Sequence, residues 1–256
     1  MMKKLIYTLL FLIMPFAMSA QTFARAEFSK AKGDSAYSKG KYADAIRIYE
    51  NVIKKEGESS AIYYNLGNAY YRNNAIGKAI LNYERALRID PTDKDTKANL
   101  EFVFTKTKDE IAEQYEIFFV TWFKSIANSL TITSWAILAV AAFILMLLFL
   151  LLFFFNSRTA IRKTALAVAI FSLFVTIFAN MAALHIYGYM NNDSEAIVMR
   201  EEAYLKSTPD NSGTELIKVH EGRKVRIVDN SMREWKEVEL EDGTVGWLPA
   251  VALEQI

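Results

Sequence analysis

The run Trp135-Ala136-Ile137-Leu138-Ala139-Val140, continuing to Leu151-Leu152-Phe153-Phe154-Phe155, decides how this chain is read. No Asp, Glu, Lys or Arg occurs between Lys124 and Arg158. A bilayer core about 30 Å thick takes roughly 20 apolar helical residues to cross, and this run is long enough. A helix on the surface of a soluble protein keeps a polar face, and this one has none. A second run, 164–189, follows a short polar break and again lacks acids and strong bases. The expectation is a transmembrane helical hairpin, with a first span at 132–155 and a second at 164–189. It divides the chain into two smaller soluble parts.

Composition narrows the function classes. The net charge is +1, so no global bias toward nucleic acid exists and no such partner is expected. The chain has no cysteine, which removes disulfides, thiol nucleophiles and thiolate metal ligands. Its two histidines, His185 and His220, fall in the second span and in the tail, too few for a histidine-rich metal site. Paired catalytic carboxylates, a phosphate loop and a nucleophile–base constellation are all missing from the sequence. The reading is a non-enzyme without cofactor or metal.

Orientation follows from two signals. Met1-Met2-Lys3-Lys4 is basic, Leu5 to Phe16 is apolar, and small residues follow at Ala17, Ser19 and Ala20. That is the layout of a secretory signal peptide, expected at 1–20. Export places the first soluble part outside the cytoplasm. The link between the spans, 156–163, holds Arg158, Arg162 and Lys163 and no acid. Positive charge in short loops stays cytoplasmic. Both signals give an inner-membrane protein with its soluble parts on the periplasmic side.

The first part contains an internal repeat. Gly33, Ala45-Ile46 and Tyr49-Glu50 recur as Gly67, Ala79-Ile80 and Tyr83-Glu84, each 34 residues on (67 − 33 = 34). That is the period of a known helical repeat. Tyr63, Leu66 and Tyr70 recur at helical spacing, Asn73-Asn74 supplies a turn and Pro91 a stop. Tyr63, Leu66, Gly67, Tyr70, Ala79, Tyr83, Ala86 and Pro91 together resemble the tetratricopeptide repeat family closely. The upstream copy departs from the pattern at Ala36 and Gly57. Downstream, Ala98-Asn99-Leu100 with Phe104 reads as the first helix of a third unit, continuing through Asp109 as a capping helix to 115. The resemblance implies an α-helical solenoid over 21–115 that binds protein segments. The groove positions of the family fall on Lys30, Asp34, Tyr64, Asn65, Asn68, Tyr71, Arg72 and Asn99. The alternative reading of the same residues is a solvated helix surface.

Between the repeats and the first span, 116–131 carries Phe118-Phe119, Trp122-Phe123, Ile126 and Leu130. Aromatic residues favour the headgroup region, so this stretch is expected along the membrane interface. Trp135 and the pair Tyr187 and Tyr189 are expected to mark the outer ends of the spans. After the second span, short β-prone runs alternate with turn signals at Pro209-Asp210, Glu221-Gly222, Asp229-Asn230 and Asp242-Gly243. Trp235-x-x-Val238 and Gly243-Thr244-Val245-Gly246-Trp247-Leu248 resemble the bacterial SH3-like family, which implies a small all-β barrel over 194–256. Trp235 and Trp247 are the candidate site residues of the tail, Trp235 reading as core before ligand platform and Trp247 as either. Relatives of that kind bind peptides or cell-wall stem peptides.

The module order, from signal peptide through repeats and two spans to an SH3-like tail, resembles the BatE-type proteins of Bacteroides aerotolerance operons. That resemblance implies a membrane-anchored scaffold whose partners are membrane proteins with von Willebrand factor A-type domains. It also implies a role in oxygen tolerance or envelope stress. The alternative is a cell-wall sensor whose tail binds peptidoglycan.

Overall fold

The computed structural model describes residues 30–109 and 117–256. The expected signal peptide and the end of the expected capping helix lie outside them. The chain forms two compact units. One combines the described residues up to Ala86 with 95–109 and 194–256, and the other combines 87–94 with 117–193.

In the first unit, helices pair as the repeat predicts. They are α1 (30–38), α2 (Tyr42–Glu56), α3 (Ser60–Arg72), α4 (Ile76–Ile89) and α5 (Lys94–Phe104). Ala45, Ile46, Tyr49 and Val52 of α2 are buried, as are Tyr63, Leu66 and Tyr70 of α3. Those spacings place each set on one face. Gly40 and Asn74 take left-handed backbone between α1 and α2 and between α3 and α4, a conformation tolerated by Gly and Asn. A Cβ added at Gly67 would lie 2.7 Å from the Tyr83 ring. The ring is therefore the surface on which α3 and α4 cross. Gly33 meets Tyr49 in the same way.

Helix α5 ends at Phe104 and does not continue through Asp109 as expected. The Thr105 and Thr107 hydroxyls donate back to the carbonyls of Phe102 and Phe104, a local pattern that competes with helix propagation. Asp109 is instead tied to the tail. It accepts the backbone N–H of His220 at 2.8 Å and pairs with Nδ1 of the same residue at 2.5 Å.

The tail is a seven-stranded antiparallel sheet in the order β3-β2-β6-β5-β4-β1-β7. The strands are β1 (Glu195–Val198), β2 (Glu202–Lys206), β3 (Glu215–His220), β4 (Lys224–Asp229), β5 (Trp235–Glu239), β6 (Val245–Pro249) and β7 (Leu253–Gln255). Ala203, Leu205, Val219, Val225, Ile227, Val238 and Leu248 alternate inward to form its core.

This sheet packs against the repeats. Gly222, at a φ of 90° in the β3–β4 turn, lies where an added Cβ would be 2.7 Å from Ile80 Cδ1. The neighbouring Glu221 carboxylate accepts the N–H of Gly77 in the first turn of α4 at 2.8 Å. Repeat arithmetic explains a further contact. Glu50 accepts the Tyr70 hydroxyl from the next repeat. Its equivalent is Glu84 (50 + 34), and the equivalent of Tyr70 is Phe104 (70 + 34), which has no hydroxyl. The side chain of Glu84 is 7% exposed, and its partner is Lys224 of the sheet at 3.0 Å. The tail thus supplies the polar partner that a following repeat would have brought.

In the second unit, α6 (Phe118–Ala127) precedes α7 (Ile132–Phe155) and α8 (Thr159–Met190). Both α7 and α8 are long and apolar enough to cross a membrane, and only 11% of the most apolar stretch of α7 is buried. A core helix of a soluble protein would be mostly covered. They pack through small side chains, Ala139 and Ala142 against Ala165, Ala169, Ser172, Ala179 and Ala182, which lets the backbones come close. Trp135, expected to mark the outer end of the first span, lies in the first turn of α7. It is 4% exposed, with its indole N–H donating to the Ala127 carbonyl at 2.8 Å. The connection between α7 and α8 is shorter than the expected 156–163. Arg162 and Lys163 lie in the first turns of α8, and only Arg158 precedes the helix. Nothing in Thr159-Ala160-Ile161 breaks a helix, and Arg and Lys are good helix formers.

The Lys224–Glu84 contact gives a stability test. Lys224→Met leaves the Glu84 carboxylate buried without its cation. Breaking such a pair costs about 3 kcal/mol or more. Denaturant unfolding of the variant should show an unfolding free energy lower by that amount, and adding Glu84→Gln should recover most of it.

Candidate functional site

Four of the expected groove residues form a repeating hydrogen-bond ladder. Tyr49, at the back of the first helix pair, donates its hydroxyl to Asp34 Oδ1 at 2.6 Å. The same oxygen accepts the Asn65 amide of the next repeat at 2.9 Å. One repeat on, Tyr83 donates to Asn68 Oδ1 at 2.7 Å, and that oxygen accepts the Asn99 amide at 2.9 Å. The positions correspond throughout: 34 and 68, 49 and 83, 65 and 99. Each acceptor joins the two helices of its own repeat to the first helix of the next. Burial, then the bond to Asp34, pushes the Tyr49 hydroxyl well above its usual pKa. Burial and nearby Tyr64 do the same for Tyr83. Both therefore remain protonated donors.

Above this ladder the groove is polar at one end. Lys30, Asp34, Tyr37, Tyr49, Asn65 and Asn68 line a cavity of about 270 Å³. Lys30 pairs with Asp34 at 2.8 Å. At the other end the groove is aromatic. Tyr71 meets Phe102 edge-on, with ring centroids 5.7 Å apart, and Phe102 is 50% exposed. Tyr64 lies between, accepting the Asn99 amide at 3.3 Å. Arg72 is drawn away to the start of α2, where it donates to the Tyr42 hydroxyl at 3.0 Å and lies over that ring. The structure thus gathers Lys30, Asp34, Tyr64, Asn65, Asn68, Tyr71 and Asn99, and leaves Arg72 to one side.

Two groove residues were not among those named from the sequence. Tyr37 stands 34 residues before Tyr71, and Phe102 stands 34 after Asn68. The repeat period identifies both positions once the register is applied to every groove residue.

The tail tryptophans share a face. Trp235 lies opposite Pro249, and Trp247 opposite Glu237. Both are half-buried, and neither belongs to the buried core. Trp235 therefore departs from its expected core position. Strand alternation turns Val238 and Leu248 inward, which leaves Trp235 and Trp247 on the opposite side.

Asn68→Ala removes one acceptor from two donors, Tyr83 and Asn99. Leaving buried donors unmet costs about 1–3 kcal/mol, so the variant should unfold at lower denaturant. Tyr71→Ala, outside the ladder, should leave the midpoint nearly unchanged.

Residues 30–94 match the tetratricopeptide repeat family, whose repeats are non-catalytic protein-interaction modules. The chain matches no curated protein at a significant level. The match covers α1 to α4 and stops at the start of α5, and it indicates protein partners.

Proposed function

We propose that this protein is a membrane-anchored adaptor whose repeat groove binds a segment of a partner protein. The observation that carries the reading is the gradient along the groove, from the polar cavity at Lys30 and Asp34 to the aromatic pair Tyr71–Phe102. Such a surface suits a segment with a polar stretch beside one large apolar side chain. Half-exposed aromatics are the residue type enriched at interface hot spots. The ladder supports binding by fixing the helices beneath the groove before a partner arrives, which lowers the ordering cost of association.

In this reading α7 and α8 anchor the chain in the inner membrane, and the repeats and tail face the periplasm after removal of residues 1–20. Arg158, Arg162 and Lys163 hold the α7–α8 connection on the cytoplasmic side. The exposed Phe118, Phe119 and Trp122 of α6 lie at the headgroup level of the lipid bilayer. The tail is an SH3-like domain, and the partners are membrane proteins with von Willebrand factor A-type domains acting in oxygen tolerance. A second reading, a peptidoglycan-binding sensor, is favoured by one feature, the two indoles of Trp235 and Trp247 on the non-core face of the sheet. Pull-down of the tail with isolated peptidoglycan separates the two.

Co-purification from native membranes tests the groove. The Tyr71→Ala, Phe102→Ala variant should insert and melt like the parent while losing the partner. A hot-spot loss of about 2 kcal/mol or more corresponds to at least roughly 30-fold in affinity. Retention of the partner would move the site to the tail. A fluorescent reporter that matures only in the cytoplasm, fused after Ile256, should stay dark. Bright cells would reverse the orientation.

A further inference from the structure

Helix α8 carries three lanes, each repeating every seven residues. Ala165, Ser172, Ala179 and Ile186 are buried and face α7. Phe178 and His185 face α6, both rings meeting Phe123 at 5.7 and 5.6 Å. The third lane is uncovered among the described residues. It comprises Leu166, Ile170, Leu173, Ile177, Asn180 and Leu184, with spacings that alternate four and three. Leu166 is 38% exposed and Leu184 68%. Asn180 lies ten residues before Met190, so about 15 Å along the helix, near the middle of a bilayer core about 30 Å thick.

An amide at that depth has no water to satisfy it. One N–H of Asn180 bonds to the Thr176 carbonyl at 2.8 Å, but an amide carries two N–H donors and a carbonyl acceptor. Polar side chains in a membrane core are drawn into contact with other helices for this reason. We propose that two copies of this chain associate through this third lane of α8, with Asn180 of one copy hydrogen-bonded to Asn180 of the other. The proposal rests on α8 crossing the membrane. An identical chain is the occupant that the chemistry fits best, because Asn donates and accepts and so complements itself across a twofold axis. Copies inserted with the same topology present α8 in parallel. The lane places Ile170, Ile177 and Leu184 at one seam position and Leu166, Leu173 and Asn180 at the other, so the twofold partner presents the same amide at the same depth.

The chain has no cysteine, so a single introduced thiol reports contact without background. Leu173→Cys and Ile177→Cys in the full-length protein should form disulfide-linked dimers on oxidation of native membranes. Phe171→Cys, exposed to lipid but off the lane, is the control. Interhelical hydrogen bonds in membranes are modest, so the lane variants should exceed the control by about fivefold, and Asn180→Leu should abolish about that advantage. Asn180→Gln should retain it. Equal cross-linking at Phe171→Cys, no cross-linking on the lane, or a yield indifferent to Asn180→Leu would each overturn the seam. Alkaline washing of the same membranes reports separately on insertion. Loss of the chain into the wash would overturn the membrane reading, whereas a retained chain with no lane dimers overturns the seam alone.

Discussion

The helical part of this protein depends on the contact between a glycine and a tyrosine ring. With no Cβ at Gly33 and Gly67, the backbones of α1 and α3 sit directly on Tyr49 and Tyr83. That approach carries each hydroxyl across the pair to the residue after the glycine, Asp34 or Asn68. The acceptor then takes the amide of the next repeat. One steric vacancy thereby sets the crossing of two helices, and one oxygen sets their spacing to a third. A larger residue at either glycine would break both relations, because the ring must move and its hydroxyl with it.

A stack built this way ends with unmet groups at its last repeat. Here the β sheet meets them. Glu84, which lacks a tyrosine partner because Phe104 stands where Tyr70 stands one repeat earlier, is neutralised by Lys224. The first turn of α4 has its Gly77 N–H capped by Glu221. Asp109, where the chain leaves α5, holds His220. Two segments far apart in the sequence therefore form one compact unit. The ladder acceptors lie on the first helix of each repeat, with Tyr83 reaching them from α4, whereas the sheet meets α4 through Gly77, Ile80 and Glu84 and also holds the turn after α5. The binding face and the docking face use different residues.

The apolar unit obeys a different rule. There α7 and α8 meet largely through alanines and a serine, and most of their large side chains point outward. Ile186 and Trp135 are exceptions, the latter buried against α6 with its N–H satisfied by a carbonyl. An indole in that position needs such an acceptor, and the turn ending α6 at Ala127 provides it.

The sequence by itself determined the helical repeat, the two long apolar helices and the all-β tail, because each rests on local periodicity: 34 residues, uninterrupted apolarity, and short strands between turn residues. The structure gathers seven of the eight expected groove positions, and Arg72 is drawn aside by Tyr42. What only the tertiary structure decided was pairing between distant segments. That Glu84 belongs with Lys224, Gly77 with Glu221 and Asp109 with His220 follows from the docking of two domains, separated by more than 100 residues in each case (Lys224 − Glu84, 140). Nor does strand alternation alone reveal which face of β5 turns inward, and the sequence reading favours Trp235 for the core. Tertiary register put Val238 there instead, since a one-residue shift in a strand exchanges its faces.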